Sequence, residues 1–334
     1  MSRSFRRVLA QRLIEIVALT GCSGPGSNCG KPVHDPHQVC VDPVGTIDAG
    51  TSGVDAGVDP SAACPTGDAL DTAIIFAETT SRFFDIEAGP TRENGGQCCY
   101  TVQDLQDCTG RPFVVDHQAI TAPVRAGNEG WADVLAPRLD HLSVMERADL
   151  AAAWMKDGLG EHASVASFGR FALELMAVGA PPELIAATHR AILDEIRHAQ
   201  LCFGMATAYA GAAIAPGTFP FSGHVEISTD LATIAARAVR EGCIGETLAA
   251  LALDDRIATT DDPVVKGVLA SLADDEARHA ELAWRAVAWA VRAGGAPVRR
   301  AVAVAFGELP EASEVTDVIR PAAERLLARA GQPT

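Results

Sequence analysis

The sequence predicts an all-α fold: a four-helix bundle with C-terminal accessory helices, preceded by a small disulfide-rich, partly β segment. Three observations carry this. Four apolar stretches with helical periodicity fill the chain from about residue 144 to residue 293. Two of them contain one hexapeptide, Asp194-Glu195-Ile196-Arg197-His198-Ala199 and Asp275-Glu276-Ala277-Arg278-His279-Ala280, in which five of six positions repeat. Six of the nine cysteines (Cys29, Cys40, Cys64, Cys98, Cys99, Cys108) lie between Cys22 and the first helix, in a loop-rich stretch where disulfides are expected.

Punctuation residues set the helix ends. Ser143-Val144-Met145-Glu146 reads as a capping box opening the first helix, which Gly179-Ala180-Pro181-Pro182 stops. The second helix runs from about Pro182 to Ala210 and ends at Gly211. Residues 212–227, with Pro216, Gly217, Pro220 and Gly223, form a connection, and Ser228 caps a third helix reaching about Ala258. Asp262-Pro263 opens the fourth, which reaches Arg292 before Gly294-Gly295. Shorter helices over about 297–307 and 313–329 complete the chain.

The upstream part divides by composition. Residues 1–22 read as a bacterial export signal: Arg3, Arg6 and Arg7 precede an apolar stretch, interrupted by Gln11, Arg12 and Glu15, that ends in the lipobox-like Leu19-Thr20-Gly21-Cys22. Cys22 would then be the acylated first residue of a membrane-anchored lipoprotein on the periplasmic or cell-surface side. The competing reading is a cytosolic N-terminal helix. Residues 23–66 are rich in Gly, Pro, Ser, Asp and Ala and read as a flexible tether. Residues 67–138 form the small Cys-rich segment, in which Cys99–Val102, Pro112–Val115 and Ile120–Val124 suggest an antiparallel meander; residues 67–96 give no assignment. Residues 139–334 are the helical domain.

Net charge of −16, from 27 basic and 43 acidic residues, argues against nucleic acid as a partner. It also argues against electrostatic attachment to an anionic membrane, so any membrane association rests on the lipid anchor.

The chemistry lies in the doubled motif. Residues three apart on a helix share a face, so Glu195 with His198, and Glu276 with His279, each present a carboxylate beside an imidazole. Such pairs suit iron or manganese. A two-ion site needs one further glutamate from each remaining helix, at the same height. The helix 2 pair lies about 15 residues beyond the helix 1–2 turn; Glu161 lies about 17 before it and Glu174 only about 4. For helices 3 and 4, Glu246 lies about 13 residues before the turn, matching Glu276 and His279, whereas Glu241 lies about 18 before it and, on an α-helix, points about 140° away. The predicted metal ligands are therefore Glu161, Glu195, His198, Glu246, Glu276 and His279. His162 and His189 face elsewhere. Asp194 and Asp275 are expected to accept from the imidazole of the opposite repeat, with Arg197 and Arg278 compensating these acids. Cys202 and Cys243 fall on opposite sides of the metal level if helices 2 and 3 run parallel, too far apart to bridge.

The doubled D-E-x-R-H resembles the ferritin-like superfamily of di-iron carboxylate proteins, over about residues 144–293. It is most similar to the pattern of di-iron monooxygenase hydroxylase subunits and ribonucleotide reductase small subunits; E-x-x-H alone is shared with bacterioferritins and rubrerythrins. The resemblance implies two iron ions, with manganese possible, bridged by Glu195 and Glu276, with Glu161 and Glu246 terminal and one histidine per metal. Leu272 stands where the N-oxygenase branch has an additional histidine, so no seventh ligand is expected there. The implied function is an O2-activating oxygenase or oxidase using a small-molecule substrate and an external electron donor. The alternatives are a ferroxidase or rubrerythrin-like peroxide scavenger, and a non-catalytic bundle stapled by metal.

Overall fold

The computed structural model describes Leu9, Leu13, Cys64 and residues 37–41, 83–93, 97–105, 111–115, 118–221, 225–307 and 315–329. The chain forms two compact units, Cys29–Asp107 and a larger, mostly helical one made of Met1–Asn28 with Cys108–Thr334.

In the smaller unit, strands β1 (His37–Val41), β2 (Phe83–Glu93) and β3 (Gln97–Leu105) form an antiparallel sheet in the order β1-β3-β2. Successive residues on a strand point to opposite faces, so the adjacent Cys98 and Cys99 cannot serve one partner. They bind different segments: Cys99 pairs with Cys40 across the sheet and Cys98 pairs with Cys64. Two staples on three strands replace the core that a unit this small lacks. The stretch expected to be a tether thus contributes a strand and two disulfide partners. The expected single meander is also corrected, because Cys99–Val102 lies in this sheet while the other two runs belong to the helical unit. Cys22, Cys29 and Cys108 lie outside the described residues.

Besides the helical positions Leu9 and Leu13, the described residues of this unit form five helices. α1 is Val144–Ala177 and α2 is Pro182–Ala210. α3 has three stretches, Leu231–Ala238, a π-helical Val239–Glu246 and Thr247–Thr259. α4 is Pro263–Phe306, bent at Gly295, whose φ of 61° no helix contains; the expected break before residue 297 appears as this bend. α5 joins a π-helical Val315–Ile319 to Arg320–Arg329. The α1 capping box forms as predicted, Ser143 Oγ accepting from Glu146 N–H and Glu146 from Ser143 N–H. Asp262 accepts from Val264 N–H and Val265 N–H at the start of α4. The cap of α3 is Asp230 rather than Ser228, because the Asp230 carboxylate receives two amides, of Ala232 and Thr233.

Residues 111–135 belong to this unit, which moves its boundary upstream of the expected residue 139. β4 (Val114–Val115) pairs with β5 (Gln118–Ala119), and β6 (Val124–Ala126) pairs with β7 (Ile214–Pro216), inside the α2–α3 connection. Asp133 N–H donates to Gln200 O, and Gln200 Nε2 donates back to Gly130 O.

Two apolar clusters fill the unit. One gathers Phe168, Phe171 and Leu175 of α1, Leu184 to Ala191 of α2, Ile234 to Leu251 of α3, and residues of α4 from Ala277 onward; Leu9 and Leu13 are buried in it. The other gathers Ala151 and Trp154 of α1, Leu201 to Tyr209 of α2, Leu253 of α3 and Val265 to Ala273 of α4. The doubled hexapeptide lies between them along α2 and α4.

At Gly242 α3 and α4 approach closely, since a Cβ there would run into Ala283 Cβ and meet Arg111 Nη1 at 3.1 Å. Gly242→Ala should therefore lower stability by about 1–3 kcal/mol, the cost of overpacking. At an uncrowded helical site the same change adds about 1 kcal/mol. The denaturation midpoint distinguishes these outcomes, and a rise would show the approach to be loose.

Candidate metal centre

All six predicted ligands meet. Glu161, Glu195, His198 and Glu276 form one group whose donor atoms lie within 4.8 Å of one another, and Glu195, Glu246, Glu276 and His279 form a second. Glu195 and Glu276 belong to both. Glu276 directs Oε1 to His198 Nδ1 at 3.2 Å and Oε2 to His279 Nδ1 at 3.4 Å. Glu195 does the converse, with Oε1 3.0 Å from His279 Nδ1 and Oε2 3.7 Å from His198 Nδ1. Each central carboxylate thus presents one oxygen to each imidazole. Five of the six are buried; the Glu161 side chain is 21% exposed and forms the edge of the cluster.

The histidines are held from behind. His198 Nε2 lies 3.1 Å from Asp275 Oδ2, and His279 Nε2 lies 3.3 Å from Asp194 Oδ2. An N–H donated there leaves the Nδ1 lone pair aimed into the cluster. As predicted, each acid comes from the opposite repeat. The arginines depart from expectation: Arg278 pairs with both Asp194 and Asp275, whereas Arg197 pairs with Asp133 at 2.6 Å. Arg197 therefore fixes the loop before α1 instead of compensating an acid of the motif.

These groups could hold metal ions. Glu195 Oε2, His198 Nδ1, Glu246 Oε1, Glu276 Oε2 and His279 Nδ1 are all buried without a hydrogen-bond partner, and all face the cluster. Burying that many electron pairs together is costly unless cations or protons lie among them. Without cations, protons take that role. Burial, followed by the charges of Glu195 and Glu276, outweighs His198 and pushes Glu161 up to about 8. Burial and the same two carboxylates hold Glu246 well above the carboxylate range. Burial pulls both imidazoles down, but the acids around them outweigh it, and both stand well above the ordinary histidine range. Glu195 and Glu276 are raised by burial and lowered further by the two histidines, ending below their usual value.

The π-helical segment of α3 explains the fate of Glu241. In an i→i+5 helix, residues five apart come round to nearly the same face, so Glu241 and Glu246 both point inward instead of diverging. Glu246 enters the carboxylate–imidazole cluster. Glu241, 8% exposed, lies between Arg170 Nη2 at 2.8 Å, Ser167 Oγ at 3.2 Å and Arg111 Nη2 at 3.6 Å. Sequence reasoning missed this second buried polar group; its one signal was the five-residue spacing of two glutamates within Glu241-Gly242-Cys243-Ile244-Gly245-Glu246. Glu174 is buried against Arg237, His189 is exposed, and His162 packs edge-on against Trp131. Cys202 and Cys243 are buried and unpaired, one in each apolar cluster.

Comparison of the chain with family models, curated proteins and solved structures finds no match.

The proton load predicts opposite pH responses. Glu161, Glu246, His198 and His279 all bind protons more tightly in the folded, metal-free state than when unfolded, so above about pH 5 the stability they contribute is lost as pH rises. The depressed Glu195 and Glu276 lose their contribution only on acidification below the usual carboxylate range. The melting temperature of metal-free protein should fall between pH 5 and 8. Divalent-ion affinity should rise over the same window, with protons released on binding, as calorimetry in buffers of different ionisation enthalpy will read. A pH-independent affinity would contradict the arrangement.

Proposed function

We propose that the helical unit is a ferritin-like four-helix bundle holding two iron ions, with manganese possible, and that it is an O2-activating oxidoreductase. The observation that carries this reading is the shared pair Glu195 and Glu276, each with one oxygen toward each histidine. Cluster membership supports the bundle: the late part of α1, early α2, early α3 and late α4 share one apolar cluster, and the opposite halves share the other. That pattern corresponds to α1 antiparallel to α2, α3 parallel to α2, and α4 antiparallel to α3.

Two reduced ions in such a centre supply the electrons that O2 activation requires, and an external donor must restore them. The chain supplies the rest. Asp194 and Asp275 fix the imidazole tautomers, and the apolar clusters on either side exclude water along the helices. Glu161, partly exposed, is the edge through which ions and small molecules reach the interior, and its carboxyl can hold a proton there.

Two disulfides in the smaller unit fit an oxidising, extracellular or periplasmic environment. Among the described residues, no helix is long and apolar enough to cross a membrane. We further propose that Cys22 carries the lipid anchor. Intact mass of the native protein should then show loss of residues 1–21 and addition of a diacylglyceryl group. Retention of the N-terminus would instead make Leu9 and Leu13 part of the mature core, where they are buried.

The purified protein should hold about two iron or manganese ions per chain and consume O2 catalytically when given a reductant. Glu246→Ala should lose metal and Glu241→Ala should keep it. Stoichiometric zinc after native purification, or no ion after reconstitution, would overturn the reading. One round of iron oxidation without turnover would favour a ferroxidase, peroxide consumption a scavenger, and metal without either a structural staple.

A further inference from the structure

Arg111 is 2% exposed, and its Nε and Nη1 have no hydrogen-bond partner. Its guanidinium lies 4.5 Å from the ring centroids of both Phe168 and Phe171, with Nη1 beside Gly242. Its buried neighbour Arg170 donates to Glu241 and to Val114 O at 2.8 Å. Two buried guanidiniums thus face one buried carboxylate, which leaves a net positive charge inside the protein. That charge lies to one side of the ligand cluster. Gly242 is one turn before Glu246 on α3, and Phe168, against which Arg111 stacks, also packs edge-on against His279 at 5.1 Å. At the opposite end, beside Glu161, the neighbouring charges Asp157 and Arg256 neutralise each other at 2.9 Å.

The two ligand groups are otherwise matched, each with three carboxylates and one imidazole, two of the carboxylates being common to both. We propose that the two positions are unequal, the Glu161/His198 position taking its divalent ion first and the Glu246/His279 position second and more weakly, because the buried Arg111–Arg170 charge opposes the second ion. This rests on the two-ion reading above. A unit charge nearer to one of two divalent ions weakens binding more at the nearer one, a difference on the order of tenfold for separations of about 10 Å at an effective dielectric constant of about 20. Exposure acts in the same direction, since Glu161 is 21% exposed and Glu246 is 1% exposed, and a position at the edge sheds less of the ion's hydration.

The test is a titration of metal-free, full-length protein with Mn2+, followed by calorimetry and electron paramagnetic resonance. The expected result is two steps separated by at least about tenfold in Kd, with an isolated-ion signal growing to one equivalent and collapsing into a coupled pair in the second. Arg111→Gln should tighten the second step more than the first and close the gap between them by about tenfold, while Arg111→Lys, which keeps the charge, should restore the gap. If Arg111→Gln does not fold, the order is read from ligand variants: Glu161→Gln should remove the tight step and Glu246→Gln only the weak one. Equal steps in the wild type, the reverse assignment from the ligand variants, or an unchanged gap in folded Arg111→Gln would overturn the proposal while leaving a two-ion centre intact. A single step of one ion, or none, would instead overturn the two-ion reading beneath it.

Discussion

The helical unit depends on one electrostatic problem: four glutamates and two histidines gathered between two apolar clusters. Each isolated buried charge costs several kcal/mol, and a domain's whole stability is about 5–15 kcal/mol. No fold of this size could hold the cluster without cations or protons in it. The features around it distribute that cost. Asp194 and Asp275 set the imidazoles so that every unshared electron pair faces inward, which raises the need for a cation while removing competing partners. The high proton affinities of Glu161, Glu246, His198 and His279 are the form the same problem takes when protons replace ions.

The π-helical segment follows from a second requirement, that α3 bring two carboxylates inward within five residues. An α-helix would spend one of them on another face. The wider winding keeps both inside but assigns them different tasks: Glu246 joins the cluster, and Glu241 offsets Arg170 and Arg111. Gly242 between them lets α3 approach α4 and leaves room for the Arg111 side chain. Winding, glycine and buried arginine form one arrangement, in which changing any member alters the charge beside Glu246.

Legibility in the sequence followed how local each interaction is. The α1 capping box, the Asp262-Pro263 start of α4 and the Gly179 turn are encoded within a few residues, and all appeared as read. The six residues of the cluster were legible because the repeated hexapeptide fixed two helices and equal height along the helices fixed the other two. What escaped needed partners far along the chain. β2 gave no strand signal because its register shifts at Ile86 to Ala88 and at Ala88 to Thr91 break the alternation on which such a reading depends. β6 pairs with β7 about 90 residues away, and Arg111 reaches α1 and α3 from a loop whose own sequence suggests only a turn. Reading Ser228 as the cap failed for another reason: Asp230, two residues on, is an equally good capping type, and only the geometry shows which one receives the free amides.

The two copies of the hexapeptide separate what the motif requires from what its surroundings decide. Glu, His and Asp behave alike in both, the Asp of each copy accepting from the His of the other. The arginines do not: Arg278 lies between Asp194 and Asp275, and Arg197 turns away to Asp133. One arginine reaches both acids because they lie close together. Arg197 takes a structural task, anchoring the loop that carries Trp131 against His162, near Glu161, the residue of the cluster that reaches solvent. The same residue in nearly the same local sequence thus takes two roles: Arg278 lies between Asp194 and Asp275, and Arg197 orders the edge where Glu161 lies.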